Sequence, residues 1–325
     1  MREALFIKQN TERWKQYELN KTKDPDELAD SFISITDDLA YAKTFYPNSK
    51  TTQYLNGLAS GFHQSIYRNK KEKTNRFVTF WQTELPVLFY TYRRPMLFSL
   101  AFFLVFTLIG MLSAMYDDTF VRLILGNNYV NMTNDNIAKG DPFGVYKVES
   151  SSLMFIYIAI NNIYVELRMY VLGILFSLGT IYNLMLNGIM LGSFQYYFFS
   201  KGLGIQSVLV IWIHGTLEIS ALVLAGSAGL VMGNSLLFPK TYSRLVSLKR
   251  GAVDGLKIAI GIVPIFIVAA FLEGFVTRHT EMPVAASVAI LATSLAFIIW
   301  YVILYPARVN HKLNLLQPHI DETSF

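Results

Sequence analysis

Long apolar runs separated by short polar loops make up the chain after residue 94. An α-helix needs about 20 residues to cross a bilayer, and each run reaches that length. The pattern therefore predicts an all-α, polytopic helical membrane protein. The apolar runs are residues 95–116, 151–200, 205–233, 255–275 and 284–305.

The first 73 residues have a different pattern, in which apolar residues recur at helical spacing between charged ones. Asp24, Pro25 and Glu27 have the spacing of a helix N-cap, a first-turn proline and a capping box. Two apolar stripes follow, and an earlier helix is expected over residues 3–17. We therefore predict that residues 1–73 form a cytoplasmic, soluble helical cap of three helices.

Aromatic residues and arginines meet just before the first apolar run. Trp81 and its aromatic neighbours precede Arg93 and Arg94, a mixture that is typical of a bilayer interface. We predict that residues 74–94 form an interfacial elbow helix, kinked near Pro86. The alternative is a further core helix of the cap. The other predicted boundaries are 95–305 for the membrane domain and 306–325 for a cytoplasmic tail.

Composition excludes several functional classes. Hydrophobic residues make up 53% and charged residues 16% of the chain, whereas a soluble domain has about 25% charged residues. The absence of cysteine excludes disulfides, thiol catalysis and cysteine-ligated metal sites. The chain has no phosphate-binding glycine loop and no His-Glu-x-x-His motif, so we expect no enzymatic activity, no cofactor and no metal. A basic cluster near residue 70 lacks a nucleic-acid-binding motif, so nucleic acid is not an expected partner.

Basic residues are concentrated in the N-terminal region, at residues 234–257 and in the C-terminal tail. The positive-inside rule places these three parts in the cytoplasm. The polar loops at 117–150 and 276–283 then lie outside. We therefore expect a multi-pass protein of the bacterial inner membrane with both termini in the cytoplasm.

This orientation requires an odd number of crossings between residues 150 and 234, yet two apolar stretches are visible there. One stretch should therefore contain a discontinuous or re-entrant segment, whose free backbone groups must be buried in protein or face a cavity. Asn187-Gly188 and His214-Gly215 are the candidate breaks. We predict five or six membrane segments, at least one of them discontinuous or re-entrant.

Ionisable and amide side chains interrupt the apolar stretches. A charge at the bilayer centre costs at least about 2.5 kcal/mol, so such groups are normally paired, neutral or functional. His214 and Glu218 share a helix face, and Arg168 is the first candidate ion-pair partner of Glu218. The group could serve as an ion relay, as a site for a partner's polar group, or as polar contacts that lock helices together. The predicted intramembrane polar cluster comprises Asn161, Asn162, Glu166, Arg168, Thr180, Asn187, His214 and Glu218.

Small residues recur every four positions in the same stretches. Such ridges allow helix backbones to touch, so we predict that the two stretches pack against each other. The ridges could alternatively form a homodimer interface. The predicted helix-packing residues are Gly188, Gly192, Ala221, Ala225, Gly229 and Gly233.

Several short motifs follow one another in order: Asn161-Asn162, Gly179-Thr180, Asn187-Gly188, Leu191-Gly192, and His214-Gly215 with Glu218 before a run of small residues. In this order they resemble the stage II sporulation protein M family over about residues 95–305. Ile213 stands where the family commonly has proline. The resemblance implies a multi-spanning inner-membrane protein without known catalytic activity. Its founding members act in spore engulfment as a membrane platform for peptidoglycan-remodelling partners.

Two functions follow as expectations. The first is a non-enzymatic membrane scaffold that recruits cell-envelope or cytosolic proteins, with membrane lipids and a second copy of the chain as further partners, most simply in a homodimer. The alternative is the membrane component of a transport system with a polar path at His214 and Glu218. A water-accessible cavity that reaches Glu218 would favour transport, whereas a dry, packed Glu218 would favour the scaffold.

Overall fold

A computed structural model describes residues 2–19, 25–66, 75–147 and 150–316. All regular secondary structure within these ranges is helical, and the predicted all-α polytopic fold is confirmed. The chain divides into two compact units, Met1–Arg76 and Phe77–Phe325. The predicted boundary after residue 73 and the proposed N-cap Asp24 lie outside the described residues.

The N-terminal unit contains the three predicted helices, α1 (Glu3–Leu19), α2 (Pro25–Phe45) and α3 (Lys50–Ile66). Their apolar stripes meet in one core, in which Ile35 and Leu55 are fully buried. Asp38 accepts hydrogen bonds from Arg13 at 2.6 Å and from Trp14 Nε1 at 2.7 Å, and so joins α2 to α1. This unit therefore has its own hydrophobic core.

Residues 76–91 form a helical segment that contains a π-turn. It consists of α4 (Arg76–Thr79), a π-helical turn (Phe80–Glu84) and α5 (Leu85–Thr91). Leu85 is fully buried, and Trp81 Nε1 donates to the Gly261 carbonyl oxygen at 3.1 Å. Pro86 lies in the first turn of α5, just after the π-turn, and has no N–H to donate to the preceding turn. The segment thus packs on another helix of its unit, and its interfacial position stays a prediction.

Six long helices follow. Five are long and apolar enough to cross a membrane: Arg93–Tyr116, Ser151–Ile174, Gly204–Leu237, Arg244–Thr277 and Val284–Leu315. The sixth, α10, has 23 residues, which is about 34 Å, and carries two asparagines and a glutamine among its apolar residues. The α-helical parts are α6 (Arg93–Tyr116), α9 (Ser151–Val171), α10 (Leu178–Ser200), α11 (Gly204–Leu237), α12 (Arg244–Phe271), α13 (Val284–Ile298) and α14 (Tyr305–Leu316).

The first long apolar stretch is broken, but not where the sequence indicated. A short 3₁₀ turn (Leu172–Ile174) and the residues after it separate α9 from α10, and Phe176 and Ser177 adopt positive φ angles of 53° and 67°. The breaks expected at Asn187-Gly188 and His214-Gly215 are absent, because α10 and α11 run through them. Three helices therefore connect residue 150 to residue 238, and three crossings would give the required odd number without a re-entrant segment.

Helix α11 occupies the centre of the second unit, and its small residues contact its neighbours at backbone distance. An added Cβ at Gly229 would overlap Thr180 of α10, and one at Gly233 would overlap Ser177. Ala221 and Ala225 are fully buried in the same core. The predicted ridge therefore packs inside the chain, as expected for α10 and α11.

Gly188 and Gly192 have a different partner from the one predicted. An added Cβ at Gly192 would overlap the Thr107 carbonyl oxygen of α6, and one at Gly188 would lie 2.9 Å from the Phe103 carbonyl oxygen. These two glycines let α10 pack closely against α6, while other residues of α10 contact α11. Because the backbones of the two helices are in contact at these glycines, small residues are required at both positions.

The polar loop between α6 and α9 also contains helices, α7 (Asp118–Leu125) and α8 (Asn127–Ala138), and a 3₁₀ turn (Gly144–Lys147). Phe143 and Tyr146 join a core with Phe198 and Ile211 of α10 and α11. The loop is therefore packed against the ends of two long helices, α10 and α11.

Candidate functional site

His214 and Glu218 project from the same face of α11, one helical turn apart, as their spacing predicts. The His214 side chain is 5% exposed. Its Nδ1 atom lies 2.9 Å from Thr277 Oγ1, and its Nε2 atom lies 3.8 Å from Glu273 Oε2. The imidazole therefore lies between two side chains of another helix.

Glu273 and Thr277 both belong to a π-helical turn, Leu272–Thr277, that continues α12. A π-turn widens the helix to about one extra residue per turn, and such turns are frequent at functional sites. Residues four apart are then nearly aligned, so both side chains face α11. Potential ligand atoms of His214, Glu218 and Glu273 all lie within 4.8 Å of one another.

Helix α9 adds a third side of polar residues. The Asn162 amide faces the Glu218 carboxyl group, but its buried Nδ2 atom makes no hydrogen bond of normal geometry. Glu166, one turn further along α9, is 1% exposed, and neither of its carboxyl oxygens is hydrogen-bonded. Tyr170 follows at the same spacing and donates to the Ala252 carbonyl oxygen at 2.8 Å. Buried polar groups thus continue along one face of α9, away from His214.

A cavity of about 350 Å³ reaches the site from one side. It opens between α7, α8, α10 and α11, and most of its wall is apolar. Tyr129, Gln195 and Trp212 add polar atoms to the wall, and His214 and Glu218 line it as well. Gln195 accepts from Trp212 Nε1 at 3.0 Å and donates to Ser207 at 2.9 Å, which fixes its amide. Glu218 is therefore reached by open space.

Tyr146 covers His214 from the polar loop. The two rings meet edge to face with centroids 5.8 Å apart. Burial raises the pKa of Tyr146 well above its ordinary value, and burial raises the pKa of Tyr129 to about 12. Both phenols therefore keep their protons at physiological pH and can act as hydrogen-bond donors toward the cavity.

The structure brings only part of the predicted polar cluster together. Asn162, His214 and Glu218 meet, and Glu166 lies one turn away. Asn161 and Arg168 are exposed, and no ion pair to Arg168 occurs among the described residues, so the proposed Arg168–Glu218 pair is not formed. The remaining two have backbone partners elsewhere: Thr180 donates to the Met169 carbonyl oxygen, and Asn187 to the Asn183 carbonyl oxygen.

Three residues of the site were not in the predicted cluster. Glu273 comes from a different apolar run, Thr277 from the loop that follows this run, and Tyr146 from the polar loop at 117–150. The signal for Glu273 was present in the sequence as a carboxyl group at the end of an apolar run, the position at which an ionisable residue requires a reason. No comparable sequence signal marks Thr277 or Tyr146.

A family model for stage II sporulation protein M matches residues 99–278. The chain belongs to this family. A second model, a domain of unknown function (DUF8413), matches residues 4–68. No curated protein and no solved structure matches the chain.

The stage II sporulation protein M region contains the whole site, from Tyr146 to Thr277, together with the cavity wall. Two carboxyl groups and an imidazole meet there, and His214 provides the only ion-pair contact to either carboxyl group within the described ranges. Two carboxylates this close in a low-dielectric interior must be neutralised by protons or by a cation. The arrangement can therefore hold protons or a cation.

Proposed function

We propose that this member of the stage II sporulation protein M family is the membrane component of a transport system. The single observation that carries the proposal is the cavity of about 350 Å³ that reaches Glu218 and His214. A Glu218 packed on all sides would have indicated polar contacts that only lock helices together. In this proposal the cavity admits a cation to the site, and the chain performs no covalent chemistry.

The polar face of α9 supports a path beyond the site. Asn162, Glu166 and Tyr170 follow one another at four-residue spacing, and all three are buried. A carboxyl group without hydrogen-bond partners is costly in a membrane interior unless it has a function. Glu166 is such a group, and it is placed to receive a proton from the neighbourhood of Glu218. The path would thus run along α9 from the cavity toward Tyr170.

Flux measurements in native membrane vesicles test the proposal. Vesicles that contain the wild-type chain should move protons or divalent cations faster than vesicles from cells without it. Glu218→Gln keeps the side-chain shape and should remove the difference. Glu281→Gln, at an exposed position after α12, is the matched control and should retain it. Equal flux with and without the wild-type chain would contradict the proposal.

The scaffold is the second candidate, and the separate N-terminal unit favours it. That unit has its own core and matches a different family model from the membrane region, as expected for a module that contacts another protein. Crosslinking in native membranes followed by mass spectrometry tests this role. The same captured proteins with wild type and with Glu218→Gln would support a scaffold that does not depend on the polar site. Loss of all of them in Glu218→Gln would contradict that role.

A further inference from the structure

We propose that His214, Glu218 and Glu273 form a binding site for a divalent first-row transition metal ion such as Zn²⁺ or Mn²⁺. The inference deepens the proposed function, because it names the class of cation that the cavity admits. It rests on the arrangement of the three side chains, on an unpartnered amide beside them and on the open space in front of them.

The donor set is suited to such an ion. One imidazole nitrogen and two carboxylate oxygens are ligands that Zn²⁺ and Mn²⁺ accept, with bond lengths to Zn²⁺ of about 2.0–2.2 Å. Tetrahedral ligands at these lengths are about 3.4 Å apart. His214 Nε2 and Glu273 Oε2 are 3.8 Å apart, and one potential ligand atom from each of the three residues lies within 4.8 Å of the other two. Side-chain rotations that move the ligand atoms by about 1 Å would therefore close the site around an ion.

Thr277 orients the imidazole for this role. With Nδ1–H donating to Thr277 Oγ1 at 2.9 Å, the lone pair of Nε2 points toward Glu273. Histidines that bind metals almost always fix their second nitrogen in this way. Because Thr277 and Glu273 share one π-turn, the same element supplies a ligand and the group that orients another ligand.

Asn162 is the independent observation that points to a ligand. It is 8% exposed, its amide faces the Glu218 carboxyl group, and its Nδ2 atom makes no hydrogen bond of normal geometry. An asparagine amide presents either oxygen or nitrogen after a half-turn, so it can bind the ion through its oxygen or hydrogen-bond a water on it. Such a buried, unpaired amide requires an explanation, and a hydrated ion beside Glu218 supplies one.

Charge also favours a divalent ion. Glu218 and Glu273 together carry two negative charges when ionised, and among the described residues no lysine or arginine pairs with either. A divalent ion neutralises both carboxylates at once. The cavity at Glu218 leaves a coordination position open to a water or to an exchanging ligand, as in zinc sites that retain one open position.

Cobalt(II) absorption on the purified full-length chain in detergent tests the site. Co²⁺ should bind with one ion per chain, produce visible bands of a low-coordinate nitrogen–oxygen site, and be displaced by Zn²⁺. His214→Ala and Glu273→Gln should abolish the bands, and Thr277→Val should weaken binding about 10–100-fold. His279→Ala and Glu281→Gln change exposed residues of the same types and should bind as wild type does.

Thermal melting without metal identifies variants that have lost their fold, and Glu218→Gln provides an isosteric second variant at the site. Absence of Co²⁺ and Zn²⁺ binding by the folded wild-type chain would overturn the inference, as would unchanged binding in folded Glu218→Gln and Glu273→Gln. Binding in detergent is independent of flux in vesicles. Metal binding without flux would therefore contradict only the transport role, and proton flux without metal binding would contradict only the metal site.

Discussion

Glu218 is the residue on which the account depends, and its surroundings differ from those that the sequence suggested. An ion pair with Arg168 was the first candidate, yet Arg168 is exposed and Glu218 lines a cavity. Glu218 instead shares its site with His214 and Glu273. Removal of the charge at residue 218 therefore strands no arginine.

We predict that Arg168→Gln changes the free energy of unfolding by no more than about 0.5 kcal/mol, as at other exposed positions. Glu218→Gln should not destabilise the chain, because it removes one of two neighbouring carboxylates in a buried site. Thermal melting of both variants in the same detergent checks this. A loss of about 3–5 kcal/mol in the free energy of unfolding of both variants, the usual cost of breaking a buried ion pair, would instead support an Arg168–Glu218 ion pair.

Two glycines of α11 give a matched test of backbone packing. Gly229 lies against α9 and α10, where an added Cβ would be 2.8 Å from the Met169 carbonyl oxygen and would overlap Thr180. Gly215 has no atom within 4 Å of an added Cβ. Gly229→Ala should therefore lower stability by about 1–3 kcal/mol, whereas Gly215→Ala should be neutral or slightly stabilising. Equal melting temperatures would remove the argument that α11 requires small residues.

Sequence reasoning recovered the residues of the site that share one helix and missed those that the fold brings from elsewhere. The spacing of His214 and Glu218 predicts a common face, because helical geometry is local. Glu273 lies 55 positions after Glu218, and its approach depends on the packing of α12 against α11 and on a π-turn. Neither property is encoded in a short pattern of residue types.

The break between α9 and α10 shows the same limit for whole elements. Gly and Pro are the usual signals of a helix end, and the sequence therefore predicted breaks at Asn187-Gly188 and His214-Gly215. The chain turns instead at Phe176 and Ser177, two residues that rarely adopt positive φ. Glycines inside α10 and α11 serve close helix packing. Helix existence was thus predictable from apolar length, but the turn was not.

The helical segment of residues 76–91, which precedes α6, offers a test at the level of elements. Leu85 is fully buried, and its side chain lies against Gly261 of α12. Leu85→Ala should lower stability by about 2–5 kcal/mol, as expected for a leucine removed from a packed core. Leu97→Ala, at a position that is 64% exposed on α6, is the control and should have little effect. Comparable melting temperatures for the two variants would show that the segment is not part of the core.

The orientation of the whole molecule in the membrane is a prediction from loop charges. The natural absence of cysteine makes single-cysteine labelling direct. Thr241→Cys should be labelled by a membrane-impermeant maleimide only from the cytoplasmic side. Glu281→Cys should be labelled only from outside, because one long helix, Arg244–Thr277, separates the two positions. Labelling of both residues from the same side would contradict this topology, and the reverse pattern would invert the orientation.

The central claim, that open space leads to a buried carboxyl site, is tested most directly by carbodiimide modification in native membranes. Dicyclohexylcarbodiimide, a hydrophobic reagent, enters membranes and modifies protonated carboxyl groups that it can reach. Mass spectrometry should find the adduct on Glu218, which lines the cavity, and not on Glu166, which is 1% exposed. Zn²⁺ or a competing cargo ion should slow the reaction at Glu218. An unmodified Glu218 in membranes where exposed carboxyl groups react would contradict the account.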